Sequence, residues 1–351
     1  MSAEARPEFI APGEQPIAYN HPFAETERLF IFRRPLESIN PSTSRVHSTV
    51  DNIQRFLEDK GSHLHLPQEV IELDTTPDIE GMEQEYFRHG IGRFDGVLNV
   101  GGDGISSNGN AAAHRSGFEG PLMHVGRGNA CDLAHMLFSR RGIRNPVGAM
   151  LNSRLTKLYL LEVKTDMPDR DGNTTVYTSG YFSSGKFIPL VTQNVSSDEA
   201  RAMAENMGEI EKLKAETNIM LETRKTIEKE EVNTVIIEDD AGVRKVSDIV
   251  LMNGQRMAKK VHFGGVHLLD PGYGRLELAR PTKRSILFGL GKAAVGLFRH
   301  FKPEEAYEFR AYTKDESPVR FQRDGELGEF PSGTLYTVSL HPRPLNVVTS
   351  R

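Results

Sequence analysis

Short apolar runs alternate with amphipathic stretches through the first half of the chain. Arg28 to Phe32, Glu69 to Leu73, Asp95 to Val100 and Gly120 to Val125 are apolar runs of strand length. Between them, Val46 to Lys60 carries Val50, Ile53, Phe56 and Leu57 at three- and four-residue spacing, which predicts a helix. Ile79 to His89, closed by Gly90 and Gly92, predicts a second helix, with Ser107 to His114 and Asp132 to Arg140 as two more. Strands alternating with helices in this way predict a doubly wound parallel sheet covered on both faces.

The rhythm changes after Pro146. Lys157 to Val163 and Thr174 to Tyr181 predict strands joined by the turn Asp169-Arg170-Asp171-Gly172-Asn173. A charged helical region starts at Ser196, where Ser196 and Glu199 suit a capping box and Met203, Met207, Ile210 and Leu213 make an apolar stripe of the core-packing kind. Thr234 to Glu238, Asp248 to Met252, Arg275 to Leu278, Ala306 to Ala311 and Thr334 to Leu340 predict further strands. The expected architecture is an α/β nucleotide-binding domain over residues 28–148, preceded by an arm over 1–27 and followed by an antiparallel, sandwich-like β-rich substrate domain over 149–336. Residues 337–351 are expected to return to the first domain.

Composition narrows the function. The 351 residues are 38% hydrophobic and 26% charged, the balance of a folded globular protein. A net charge of −5 argues against nucleic-acid binding, which needs a basic footprint. The single cysteine, Cys131, excludes an intramolecular disulfide and a cysteine zinc cluster, and suits a reducing compartment. The opening residues lack an apolar core, so no secretory signal is expected. Ile286 to Phe301 is too short for a membrane span and is interrupted by Lys292, Arg299 and His300. The expectation is a cytoplasmic protein, at most peripheral to a membrane, with a homodimer left open.

Two glycine turns carry the candidate chemistry. Gly101-Gly102-Asp103-Gly104 ends one predicted parallel strand, and Gly126-Arg127-Gly128-Asn129 ends the next. Glycines let a backbone approach phosphate closely, and the helix that follows offers unpaired N–H groups. Asp103 suits a metal or a ribose; the alternative is a tight structural turn with an exposed carboxylate. Neither the dinucleotide fingerprint nor the Walker A spacing is present. Near the end, Asp324-Gly325-Glu326 reads on local sequence first as a β-hairpin turn, and only the order of the motifs favours a site.

The order of these segments resembles the diacylglycerol kinase catalytic superfamily, which includes bacterial lipid kinases and sphingosine and ceramide kinases; NAD kinases share the first turn. The resemblance rests on Val100 to Gly104, on Pro121 to Asn129, and on Arg323 to Glu326 followed by Gly333 to Val338 and His341 to Val347. Asp270-Pro271-Gly272-Tyr273 resembles an earlier aspartate-glycine turn, and Asn40-Pro41-Ser42 the N-terminal asparagine-proline signal. The resemblance implies transfer of the ATP γ-phosphoryl group to a lipid hydroxyl, with Mg2+. It implies that Gly101, Gly102, Asp103, Gly104, Gly126, Arg127, Gly128, Asn129 and Asn40 hold nucleotide. It makes Asp103 and Asp270 metal ligands, Asp324 the base and Glu326 its neighbour. The implied partner is a lipid at a membrane surface.

Four positions depart from that pattern. Ile105 replaces a hydroxyl residue, Asn108 a glutamate, Arg127 a threonine or serine, and Tyr273 the second of two spaced aspartates. They leave open a catalytically inactive relative that binds nucleotide or lipid, and a kinase of a soluble substrate such as NAD, beside the lipid kinase.

Overall fold

The computed structural model describes residues 22–35, 41–59, 66–73, 78–127, 131–138, 144–195, 209–229, 235–254, 256–257, 261–262, 268, 272–278, 306–313 and 316–350. The candidates Asn40, Gly128, Asn129 and Asp270, the Ser196–Glu199 box, Met203 and Met207, and the stretch 286–301 lie outside them.

The first half begins β1 (Arg28–Arg33), α1 (Pro41–Glu58), β2 (Gln68–Glu72), α2 (Ile79–Arg88), β3 (Asp95–Gly101) and α3 (Asp103–Arg115). It continues with β4 (Leu122–Gly126), α4 (Asp132–Leu137) and α5 (Pro146–Asn152). Then come β5 (Ser153–Leu158), β6 (Leu161–Thr165), β7 (Thr175–Thr178), β8 (Tyr181–Gly185), α6 (Phe187–Val195) and α7 (Glu209–Lys229). The remaining strands are β9 (Val235–Asp239), β10 (Gly242–Val246), β11 (Asp248–Met252), β12 (Arg256–Met257), β13 (Val261–His262), β14 (Gly274–Leu278), β15 (Ala306–Tyr312), β16 (Val319–Arg323), β17 (Glu326–Phe330), β18 (Thr334–Leu340) and β19 (Leu345–Ser350).

A six-stranded sheet in the order β2-β1-β3-β4-β19-β5 forms the first domain. Its first strands run parallel, and β3 is buried along its whole length, as the mostly apolar run Val97-Leu98-Asn99-Val100 suits between two helical layers. The last strand, β19, sits between β4 and β5 and buries Leu345, Val347 and Val348. The second domain is a sandwich of a six-stranded sheet, β10-β9-β15-β18-β6-β7, and a five-stranded one, β14-β11-β8-β16-β17. Between the sheets lies an aromatic core in which Phe309 stacks on Tyr336 at 4.6 Å and Phe330 meets Tyr336 edge-on at 5.5 Å.

The sequence-based elements shift at two places that matter. The expected strand Lys157 to Val163 divides, so that β5 joins the first sheet and β6 the second. The first sheet thus reaches to Leu158, beyond the expected boundary at 148. The expected strand Thr174 to Tyr181 also divides, at Ser179-Gly180, because that bend serves a contact from the distant Asp324. Two chain segments cross between the domains, after Leu158 and after Leu340, and His341 N–H donates to the Leu160 carbonyl at 2.8 Å to tie them together.

Phe330 is fully buried at the end of the strand that leaves the Asp324 turn. Phe330→Ala is expected to cost about 3–5 kcal/mol, read as a lower denaturant midpoint at unchanged slope.

Candidate active site

The first glycine turn is tighter than its sequence suggests. The helix expected from Ser107 begins at Asp103, with Gly102 as its extended cap residue, so Asp103 and Gly104 form its first turn. That places the Asp103 carboxyl at the positive end of the helix dipole. Gly101 has no room for a side chain, since a Cβ would lie 2.6 Å from Ile105 Cδ1. Around Gly104 there is open space, with nothing within 4 Å of where a Cβ would stand. An open glycine in a helical first turn is a surface that a phosphate can approach.

Asp103 lies within electrostatic reach of two other carboxylates. Burial, then Asp132 and then Asp324, push its carboxyl up to about 7, while the backbone N–H groups of Asp132 and Leu133 pull the other way. Tyr181 feels the same group: burial raises its phenol well above 10.0, and Asp324, Asp132 and Asp103 add to the shift. Asp132 was not singled out from the sequence. The available signal was its place at the start of the helix after the second glycine turn, where α4 opens behind Cys131 in the left-handed region.

The second domain supplies the Asp324 turn. Asp324 and Gly325 both have positive φ, 46° and 97°, the backbone of a two-residue hairpin turn between β16 and β17. The hairpin reading and the site reading of Asp-Gly-Glu therefore coexist. The Asp324 carboxylate accepts the backbone N–H groups of Ser179 (3.0 Å), Gly180 (3.0 Å) and Tyr181 (2.8 Å), and the Ser107 hydroxyl at 2.6 Å. Gly180 is obligatory there, because a Cβ would come 2.6 Å from Asp324 Oδ1. Glu326 accepts from Asn108 Nδ2 at 2.5 Å and from Arg323 at 2.6 Å. Burial raises its carboxyl above the usual value, Asp324 adds to this, and Arg323 and Asn108 oppose it.

The structure thus places Gly101, Gly102, Asp103 and Gly104 at the start of α3 and brings Asp324 and Glu326 onto its second turn. Gly126 lies beside Gly101 in the adjacent strand. Arg127 turns onto α1: its Nε donates to Thr49 Oγ1 at 2.6 Å and its Nη1 to the Gly126 carbonyl at 2.8 Å. Tyr273, which stands where the resemblance places the second of two spaced aspartates, is fully buried in the sandwich core with its hydroxyl 3.4 Å from the Val338 carbonyl. Among the described residues no three His, Cys, Asp or Glu side chains converge as a metal cage. The oxygen donors still suit Mg2+, which characteristically takes one or two carboxylates and completes its shell with water and substrate phosphates. Burial first, and neighbouring negative charge after it, hold the proton on Asp103.

Because Asp103 is held above its ordinary 3.8, its proton-linked stability is complete below 3.8 and lost as pH rises through about 7. Asp103→Asn removes that loss. The melting-temperature difference between variant and wild type is expected to move in the variant's favour by about 2–4 °C between about pH 5 and about pH 8. A difference that does not change with pH would exclude the shift.

No family model matches the sequence, and no curated protein matches it. Solved structures do match. A diacylglycerol kinase from Bacillus anthracis str. Sterne aligns over 92% of this chain and 97% of its own, at 12% identity and a TM-score of 0.56. Yeast NADH kinase complexed with NADH aligns over 93% and 84%, at 12% identity and a TM-score of 0.52. The chain has the fold of these two solved kinases, at 12% sequence identity to each.

Proposed function

We propose that the protein is an ATP-dependent phosphotransferase that moves the γ-phosphoryl group to an alcohol, with a lipid hydroxyl as the acceptor. The observation that carries this reading is Asp103, a carboxyl poised near neutrality in the first turn of α3, within electrostatic reach of Asp324 from the other domain. Phosphoryl transfer asks a protein mainly to position reactants and to neutralise spread negative charge. The open face at Gly104 and the N-terminus of α3 are suited to hold phosphates. When Mg2+ is bound, it supplies the charge neutralisation across the phosphate oxygens; Asp132 would be the residue to hold it, leaving Asp103 to take a proton.

The hydrogen bonds favour a change of roles from the expected one. Both oxygens of Asp324 already accept fixed donors from Ser179, Gly180, Tyr181 and Ser107, which makes it a strut with little capacity left for a substrate proton. Asp103, with its carboxyl near 7, is the better acceptor for the hydroxyl proton, since a base works best near the operating pH. Among the described residues no helix is long and apolar enough to cross a membrane, so a lipid acceptor would be met from the bilayer surface.

The test is phosphate transfer from Mg-ATP to a panel of diacylglycerol, sphingoid and ceramide lipids, with NAD and NADH as soluble acceptors. A lipid product is expected, and Asp103→Asn is expected to lower its rate by about 10²–10⁴-fold. Product from NAD alone would replace the lipid reading. Nucleotide binding by calorimetry without any turnover would establish an inactive relative.

A further inference from the structure

Ser107 and Asn108 are neighbours on α3, one turn beyond Asp103, and they are 5% and 1% exposed. Each donates to a different carboxylate of the opposite domain, Ser107 Oγ to Asp324 at 2.6 Å and Asn108 Nδ2 to Glu326 at 2.5 Å. Both donors are neutral and both acceptors are acidic. The rest of each carboxylate's bonding comes from its own domain: the Ser179 to Tyr181 amides for Asp324 and Arg323 for Glu326. The two α3 side chains are therefore the polar bonds that tie the Asp324 turn to the nucleotide-turn helix.

We propose that Asn108 and Ser107 are positioning residues that latch the two domains together, so that domain closure and assembly of the acidic site are a single event. Asp103 and Ser107 are four residues apart and share a face of α3. A helix that moved away from the hairpin would carry Asp103 with it and release Asp324 in the same motion. Asn at position 108 is what the contact demands. A glutamate there, as the family resemblance leads one to expect, would set carboxylate against carboxylate where the amide now donates. The departure from the family pattern is thus a gained bond between domains. This inference rests on the hydrogen-bond geometry and needs no assumption about the acceptor or about turnover.

Hydrogen exchange on the full chain tests it, read at the Gly180 and Tyr181 amides that donate to Asp324 and at residues 324–326. Asn108→Asp keeps the shape and replaces the donor by an acceptor, and exchange there is expected to quicken about tenfold, the scale of losing one buried charge-assisted bond. Adding Glu326→Gln restores a donor–acceptor pair with the roles reversed, and protection is expected to return to within about threefold of wild type, a coupling that independent sites would not show. Glu326→Gln alone is the control for the lost Arg323 pair. Exchange unchanged in Asn108→Asp, or purely additive effects in the double variant, would overturn the latch. Should Asn108→Asp not fold, Ser107→Ala and Asn108→Ala take its place: faster exchange confined to the Asp324 turn supports the latch, and unchanged exchange refutes it. Phosphotransfer is not read in this experiment, so the latch can fail while the kinase reading stands, and the reverse.

Discussion

One helix sets the geometry on which the site depends. α3 has 13 residues, about 20 Å of rigid rod at 1.5 Å per residue, and it leaves the buried strand β3 at a fixed point. Its first turn carries Asp103, its second grips Asp324 and Glu326, and its far end touches the crossing between the domains. There the His114 ring meets His341 at 4.1 Å and Tyr177 at 5.0 Å, and the His114 carbonyl accepts a bond from Arg343. The helix therefore registers the β-rich domain against the parallel sheet along its whole length. Packing of α3 against β3 is close: Gly109 leaves no room for a Cβ beside the Asn99 amide.

Gathering negative charge at the mouth of that helix has a stability cost. Asp132 and Asp324 raise the energy of the ionised Asp103 carboxyl, and burial deprives it of water. The offset comes from backbone N–H groups, three on Asp324 and two on Asp103, which are aimed by the bend at Ser179-Gly180 and by the start of α4. Strain of this kind is concentrated at functional sites, and a stabilising change there is expected to come at the expense of function.

The four departures from the family pattern each find a physical partner. Ile105 packs back on Gly101 and is 2% exposed. Asn108 bonds Glu326, Arg127 is seated on Thr49, and Tyr273 fills the sandwich core.

The alternation of apolar runs and helical stretches was enough to specify a parallel sheet, because strand and helix periods are local properties of the chain and both faces of such a sheet must be buried. The glycine turns and the Asp-Gly-Glu turn were legible for the same reason, since positive φ and close backbone approach restrict the residue type at single positions. Partners were not legible. Residues 107 and 324, or 180 and 324, meet only because β16 and β17 pair beside β8 and because the second sandwich sheet closes over α3. Nothing local marks Gly180 as the break in a strand or Asp324 as a carboxylate saturated by backbone donors. Those facts depend on distances between segments far apart in sequence, and only the folded arrangement of the two domains sets such distances.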